Sequence, residues 1–239
     1  MTRRRTVAGG GIEIELPPDR LVGWVGRFAD RNGGLADLST DGATVQIRGG
    51  DGTLARFEVP FGPMTVGSRN NVGSGGAGSG PCGEQCEPLE AVLDHLAGLG
   101  PLGLILVRGG AHSVGIARDG VVLRSSTDRA HLQGRTAAGG WSQQRFARRR
   151  GNQRSASLAD AADTAVRVLT GPDVDGLAGL VLGGDRPALA GVLADPRLAA
   201  LTGLPRRTFA DVPEPRRAVL DEVAARSLSV PIVIDSTGP

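Results

Sequence analysis

Residues 102–124, LGLILVRGGAHSVGIARDGVVLR, decide how this chain folds. Leu102 to Val107 is an apolar run of strand length, which marks a strand buried on both faces. Gly109-Gly110 turns it, and Ala111 to Arg118 reads as a second strand. Asp119-Gly120 is a strong two-residue hairpin signal, because both central positions of the favoured turn need positive φ. Val121 to Arg124 then reads as a third strand. The stretch predicts a three-strand antiparallel meander.

Working towards the C-terminus, residues 125–141 read as a loop, and helical sequence follows to about Leu169. The second half of that helix is apolar at Leu158, Ala162, Ala165, Val166 and Leu169, spacing that turns one face to a core. Thr170-Gly171-Pro172 stops it. Gly179 to Gly183 is another buried strand, followed by a helix to about Leu193, with Asp185 expected as its N-cap beside an ion pair with Arg186. A further helix is expected from Pro213 to about Arg226 and a late strand from Val230 to Asp235. This order resembles a ribonuclease-H-like α/β layout, a mixed sheet packed by helices.

Towards the N-terminus, Gly11 to Leu16 alternates apolar and acidic residues as a half-buried strand does. Pro17-Pro18-Asp19 opens a helical pattern with Leu21, Val22, Val25 and Phe28 on one face. Ala43 to Arg48 and Leu54 to Val59 flank a glycine-rich turn and read as a hairpin. Residues 73–80, GSGGAGSG, cannot bury apolar surface. The expected organisation is therefore a small N-terminal α/β unit over 1–61 that packs on the core, a flexible Gly/Ser-rich loop over 62–86, and the main domain over 87–239.

Charge is distributed unevenly. Residues 118–154 hold nine arginines (118, 124, 129, 135, 145, 148, 149, 150, 154) against Asp119 and Asp128, while the whole chain of 239 residues is only +2. A mildly acidic body thus carries one concentrated positive patch, the footprint of a polyanionic partner. Arg145, Arg148 and Arg149 share a helix face by their spacing. All 27 basic residues are arginine and none is lysine. That excludes a Gly-Lys-Ser/Thr phosphate loop and any lysine Schiff base, and leaves planar cationic forks suited to phosphate. The chain has no tyrosine.

The two cysteines, Cys82 and Cys86, supply half of a four-ligand metal site. His95 and His112 are the candidates to complete it. A zinc site, a redox-sensitive pair and two loop thiols all stay open, and neither metal nor cofactor is expected. No run reaches the roughly 20 apolar residues needed to cross a bilayer. The arginine-rich N-terminus has no apolar stretch behind it, so the expectation is a cytoplasmic protein without a membrane partner. The sequence gives no oligomeric state.

One motif remains. Gly139-Gly140 is followed by Ser142 and then by Arg145-Phe146-Ala147-Arg148-Arg149-Arg150. This resembles the catalytic domain of the archaeo-eukaryotic peptide-chain release factors, in which a Gly-Gly-Gln loop precedes a helix beginning close to Ser-Ala-x-Arg-Phe-Ala-Arg-x-Arg. The similarity covers roughly residues 87–200. In register with Arg-Phe-Ala-Arg, Trp141 falls in the slot of the catalytic glutamine, and Gln143 and Gln144 lie two and three residues later. Gly140-Trp141-Ser142-Gln143 is similar, with a shifted register, to the Gly-Ser-Gln variants of the Vms-like branch.

The resemblance implies a peptidyl-tRNA hydrolase that frees nascent chains on stalled large subunits. Its implied partners are the large ribosomal subunit, peptidyl-tRNA and rRNA. Gly139 and Gly140 would make the reaching loop thin. Gln143, or Gln144, would position water or stabilise the oxyanion. Arg135, Arg145, Arg148, Arg149, Arg150 and Arg154 would grip RNA phosphates, and Trp141 would stack on a base. Two other readings stay in play. One is a non-catalytic RNA-binding module on the same fold. The other is a metal-dependent nuclease, which the lack of a carboxylate in Leu102 to Val107 argues against. His131 is a weak further candidate, as ligand or base.

Overall fold

The computed structural model describes residues 3–6, 11–64, 86–129, 142–171 and 176–235, with backbone alone for 3, 142–150 and 152. The chain divides into two compact units, Met1–Leu99 with Leu228–Pro239, and Gly100–Ser227. The domain boundary expected at residue 87 thus falls at Gly100, and the last strand leaves the second unit for the first. Burial explains both shifts: the apolar side chains of the helix after residue 86 and of the last strand belong to the first unit's core.

In the first unit, β1 (Arg3–Thr6), β2 (Ile12–Leu16), β3 (Leu35–Thr40), β4 (Thr44–Gly49), β5 (Leu54–Glu58) and β11 (Val230–Asp235) form one sheet in the order β1-β2-β11-β5-β4-β3. Every neighbouring pair is antiparallel. Helices α1 (Leu21–Arg31) and α2 (Glu87–Ala97) complete the unit. Leu21, Val25 and Phe28 of α1 and Leu89, Val92 and Leu96 of α2 share one buried cluster with Ile14, Ile47 and Ile232 of the sheet. Strand β1, Arg-Arg-Arg-Thr, has no apolar residue to announce it. It is an edge strand held by backbone pairing and by the Arg5–Glu13 ion pair at 2.8 Å. Cys86, just before α2, is disulfide-bonded, which overturns the reading of two free loop thiols. Cys82 and residues 73–80 lie outside the described residues.

The second unit holds β6 (Leu102–Arg108), β7 (Ala111–Arg118), β8 (Val121–Arg129), β9 (Gly179–Gly184) and β10 (Arg206–Phe209) in the order β10-β9-β6-β7-β8. The meander β6-β7-β8 is antiparallel, while β9 runs parallel to β6 and β10 parallel to β9. This is the mixed sheet that the strand order of the sequence leads one to expect. Both hairpin turns have positive φ at their two central residues, 59° and 86° at Gly109-Gly110, 52° and 76° at Asp119-Gly120.

Helices cover both faces, which is why β6, β7 and β9 are almost continuously buried. On one face Ile105, Val107 and Val114 pack with Ala161 and Ala165 of α3 (Ser142–Leu169) and Leu189 of α4 (Arg186–Leu193). On the other lies α5 (Arg217–Arg226), with Leu220 so close that a Cβ on Gly115 would stand 2.9 Å from its Cδ2. Three details differ from expectation. Strand β8 continues through Arg129 rather than yielding to a loop at 125, because Ser125 to Arg129 complete the ladder with β7 despite their polarity. Helix α5 starts at Arg217, not Pro213, with Arg216 still extended. Strand β10 went unread because only Phe209 of its four residues is buried.

Candidate functional site

Helix α3 has 28 residues and is about 42 Å long at 1.5 Å per residue. Its C-terminal part is fastened to the sheet by small buried residues and by a set of polar ties. The Ser157 hydroxyl donates to the Gly110 carbonyl at 3.1 Å. His112 Nε2 lies 3.1 Å from Thr164 Oγ1 in a buried contact. The Arg124 guanidinium donates to the Val168 carbonyl, and Arg167 donates to Ser126 Oγ at 3.0 Å. Arg197 bridges Asp163 of the helix and Asp195, both at 2.6 Å, and its hydrogen bonds hold the Asp195 carboxyl down to about 2. Burial pushes the His112 imidazolium below its ordinary range, against the opposing pull of Asp128 and Asp160.

Further towards its N-terminus α3 turns to solvent: Arg154, Ser155 and Ala156 are exposed. Arg154 borders a cleft of about 720 Å³ at the carboxyl ends of β6 and β9. The carboxyl edge of parallel strands is where open α/β sheets gather their loops and bind ligands. Gly184 makes this edge. Its φ is +106°, and a Cβ there would lie 2.2 Å from the Val107 carbonyl oxygen. The next residue, Asp185, donates its N–H to that same oxygen at 2.9 Å. The Asp185 side chain does not cap α4, contrary to expectation. It turns to the β6 end instead, where it pairs with Arg108 at 3.5 Å and accepts from the Gly109 N–H at 3.3 Å. Arg186, expected as its ion-pair partner, makes no hydrogen bond or ion pair among the described residues, and neither does Arg154.

The residues expected from the sequence fall into three groups. Arg135, Gly139, Gly140 and Trp141 lie outside the described residues, as does His131. Ser142, Gln143, Gln144, Arg145, Arg148, Arg149 and Arg150 have helical backbone and their side chains are not described. Gln143 and Gln144 belong to the first turn of α3, which begins at Ser142, where the reading of a loop over 125–141 followed by helix puts it. Arg154 is placed on the cleft. Sequence reasoning missed Arg186 at that cleft and Arg108 as the partner of Asp185 on it. The signal that could have found them is the Gly-Asp-Arg-Pro turn directly after a buried parallel strand.

His95 and His112 are committed elsewhere, His95 Nε2 lying 3.2 Å from the Pro60 carbonyl oxygen and His112 against Thr164. Among the described residues no three His, Cys, Asp or Glu side chains gather as metal ligands, and no helix is long and apolar enough to cross a membrane.

A five-stranded mixed sheet with helices on both faces, and one long helix leaving an arginine-rich segment, defines the second unit as a ribonuclease-H-like α/β domain. The family model of the Actinobacteria/chloroflexi VLRF1 release factors matches residues 100–233, more than half of the chain, and the chain belongs to that family. The match opens at Gly100, where the second unit begins, and runs on into β11. The protein is therefore of the release-factor type, a class that works at the ribosome. Two solved structures are similar at a loose level. One is the archaeal translation termination factor aRF1, with 14% identity, 93% of this chain and 68% of that chain covered, and a TM-score of 0.30. The other is described as an archaeal protein, with 14% identity, 90% and 65% covered, and a TM-score of 0.27. Likenesses this loose say nothing about chemistry. No curated protein matches the chain.

Proposed function

We propose that this protein is a peptidyl-tRNA hydrolase that frees nascent chains from tRNA on stalled ribosomes or large subunits. The observation that carries the reading is the start of α3 at Ser142, immediately after the Gly139-Gly140-Trp141 stretch, with five arginines from Arg145 to Arg154 in the same helix. The first turn of a helix has backbone N–H groups without intrahelical acceptors and carries partial positive charge. Ser142, Gln143 and Gln144 occupy that turn. Presented to the ester, such a turn offers donors to the oxygen on which negative charge develops.

The chemistry is hydrolysis of the ester between peptide and terminal ribose. Water oxygen attacks the carbonyl carbon, the carbonyl oxygen becomes an oxyanion, and the ester C–O bond breaks. The ribose oxygen departs and takes a proton, leaving a free peptide carboxyl group and a tRNA with its hydroxyl restored. A glutamine amide both donates and accepts and does not ionise, so it suits holding the water or the oxyanion across the working pH range. An oxyanion donor in hydrolases is worth about 3–4 kcal/mol. The arginines supply phosphate contacts that weaken as salt rises.

The test is peptide release from stalled peptidyl-tRNA–large-subunit complexes. Gln143→Ala should slow release about 100-fold or more at unchanged salt dependence. If Gln144→Ala carries the loss instead, the working amide moves one residue. A wild-type protein that releases nothing rejects the hydrolase reading. A second reading, an RNA-binding module without hydrolysis, is favoured by Trp141 standing where the resemblance puts the catalytic glutamine. It predicts ribosome co-sedimentation with no ester cleavage.

A further inference from the structure

We infer that the cleft at the carboxyl ends of β6 and β9, together with the hollow beside it along α4, holds a short single-stranded segment of RNA. The cleft's volume of about 720 Å³ is in the range that ligand-sized groups fill. Its walls combine two chemistries. Arg154 and Arg186 stand on it as guanidinium groups without protein partners among the described residues, free to fork onto phosphate oxygens. Val107, Leu158 and Pro187 give an apolar surface on which a base can lie. Among the described residues the one carboxylate on the cleft, Asp185, is already engaged by Arg108 and the Gly109 N–H, so little of its charge is left to repel a phosphate.

A second hollow, about 290 Å³, is lined by Leu182, Leu189, Thr208, Arg206 and again Arg186. Arg186 therefore stands between two adjoining recesses, each with a further arginine of its own. Recesses that alternate with cations fit a polymer in which bases alternate with phosphates, rather than one isolated anion. The inference deepens the proposed function by locating RNA on a second surface of the same unit, away from the α3 first turn in sequence. It rests on the reading that the protein works on RNA.

The experiment is fluorescence anisotropy of a labelled octaadenylate RNA with the full chain, which needs no ester and no hydrolysis. Arg186→Ala should weaken binding about fivefold and flatten the slope of log affinity against log salt by about 0.7, the loss of one phosphate contact on a single strand. Ala210→Glu, an exposed position on the cleft rim, should weaken it at least as much. Arg20→Ala removes the same charge from the first unit and should leave binding unchanged. The inference is overturned if Arg186→Ala and Ala210→Glu both bind like Arg20→Ala, or if adenosine monophosphate displaces the RNA at equal nucleotide concentration, which marks a mononucleotide site. Loss of peptide release with this binding pattern intact rejects the hydrolase reading alone. Release intact without the pattern rejects the cleft alone.

Discussion

The two sheets differ in one property that decides where function can sit. In the first unit every neighbouring pair of strands is antiparallel, so strand ends of opposite polarity alternate along each edge. In the second, β6, β9 and β10 run the same way, and their carboxyl ends gather on one side. The cleft with Arg154, Arg186 and Asp185 lies there. A shared strand direction gives the turns that follow each strand a common place to meet. The first unit spends its strands on enclosing a core, and its last strand is supplied from the far end of the chain.

The sharpest way to break this contrast is Gly184→Ala. The new methyl would fall 2.2 Å from the Val107 carbonyl oxygen, at a φ of +106° that an alanine resists. We expect a loss of about 4 kcal/mol or more, enough to unfold the second unit near physiological temperature. In a Trp141→Phe background, Trp24 is the one tryptophan left and belongs to the first unit. Its fluorescence transition should stay in place while circular dichroism reports the collapse. A joint shift of both signals would mean that the units fold as one.

Ile232→Ala reverses the test. Ile232 is fully buried in the first unit's core, on the strand between β2 and β5. Truncation there should cost about 2–5 kcal/mol, read as an early Trp24 transition, with RNA binding by the second unit retained. If the second unit unfolds with it, β11 belongs energetically to both.

A smaller and reversible effect is expected from pH. Burial lowers the imidazolium affinity of His112 below its ordinary 6.5. The unfolded chain then binds more protons than the folded one just below pH 6.5, so this contribution is present above that value and is lost as pH falls through it. Urea midpoints of the second unit should decline from about pH 6.5 downward, and His112→Gln should flatten that decline. A wild-type midpoint that is level from pH 7 to 5 would show that Asp128 and Asp160 cancel the cost of burial.

Legibility from sequence followed the range of the interactions. The meander was readable because each turn is fixed by two residues, Gly109-Gly110 and Asp119-Gly120, whose φ values are those the turn demands. Helices α1 and α3 were readable from apolar spacing over consecutive turns. The edge strands β1 and β10 were not: they carry arginines on exposed positions and show no alternation. Ser125 to Arg129 looked like loop because polarity outweighs pairing when only the sequence is in view.

The local code thus determined by itself the meander, the helices, the arginine-rich segment and the likeness to release factors, since each depends on residues within a few positions of one another. Tertiary structure alone decided three things. It placed β11 between β2 and β5, where Val230 and Ile232 find a core. It turned Asp185 away from its helix towards Arg108. It opened a cleft between residues 107 and 210. These are long-range pairings, and their free energy depends on which surfaces remain uncovered once the local elements have formed, a quantity that no window of sequence contains.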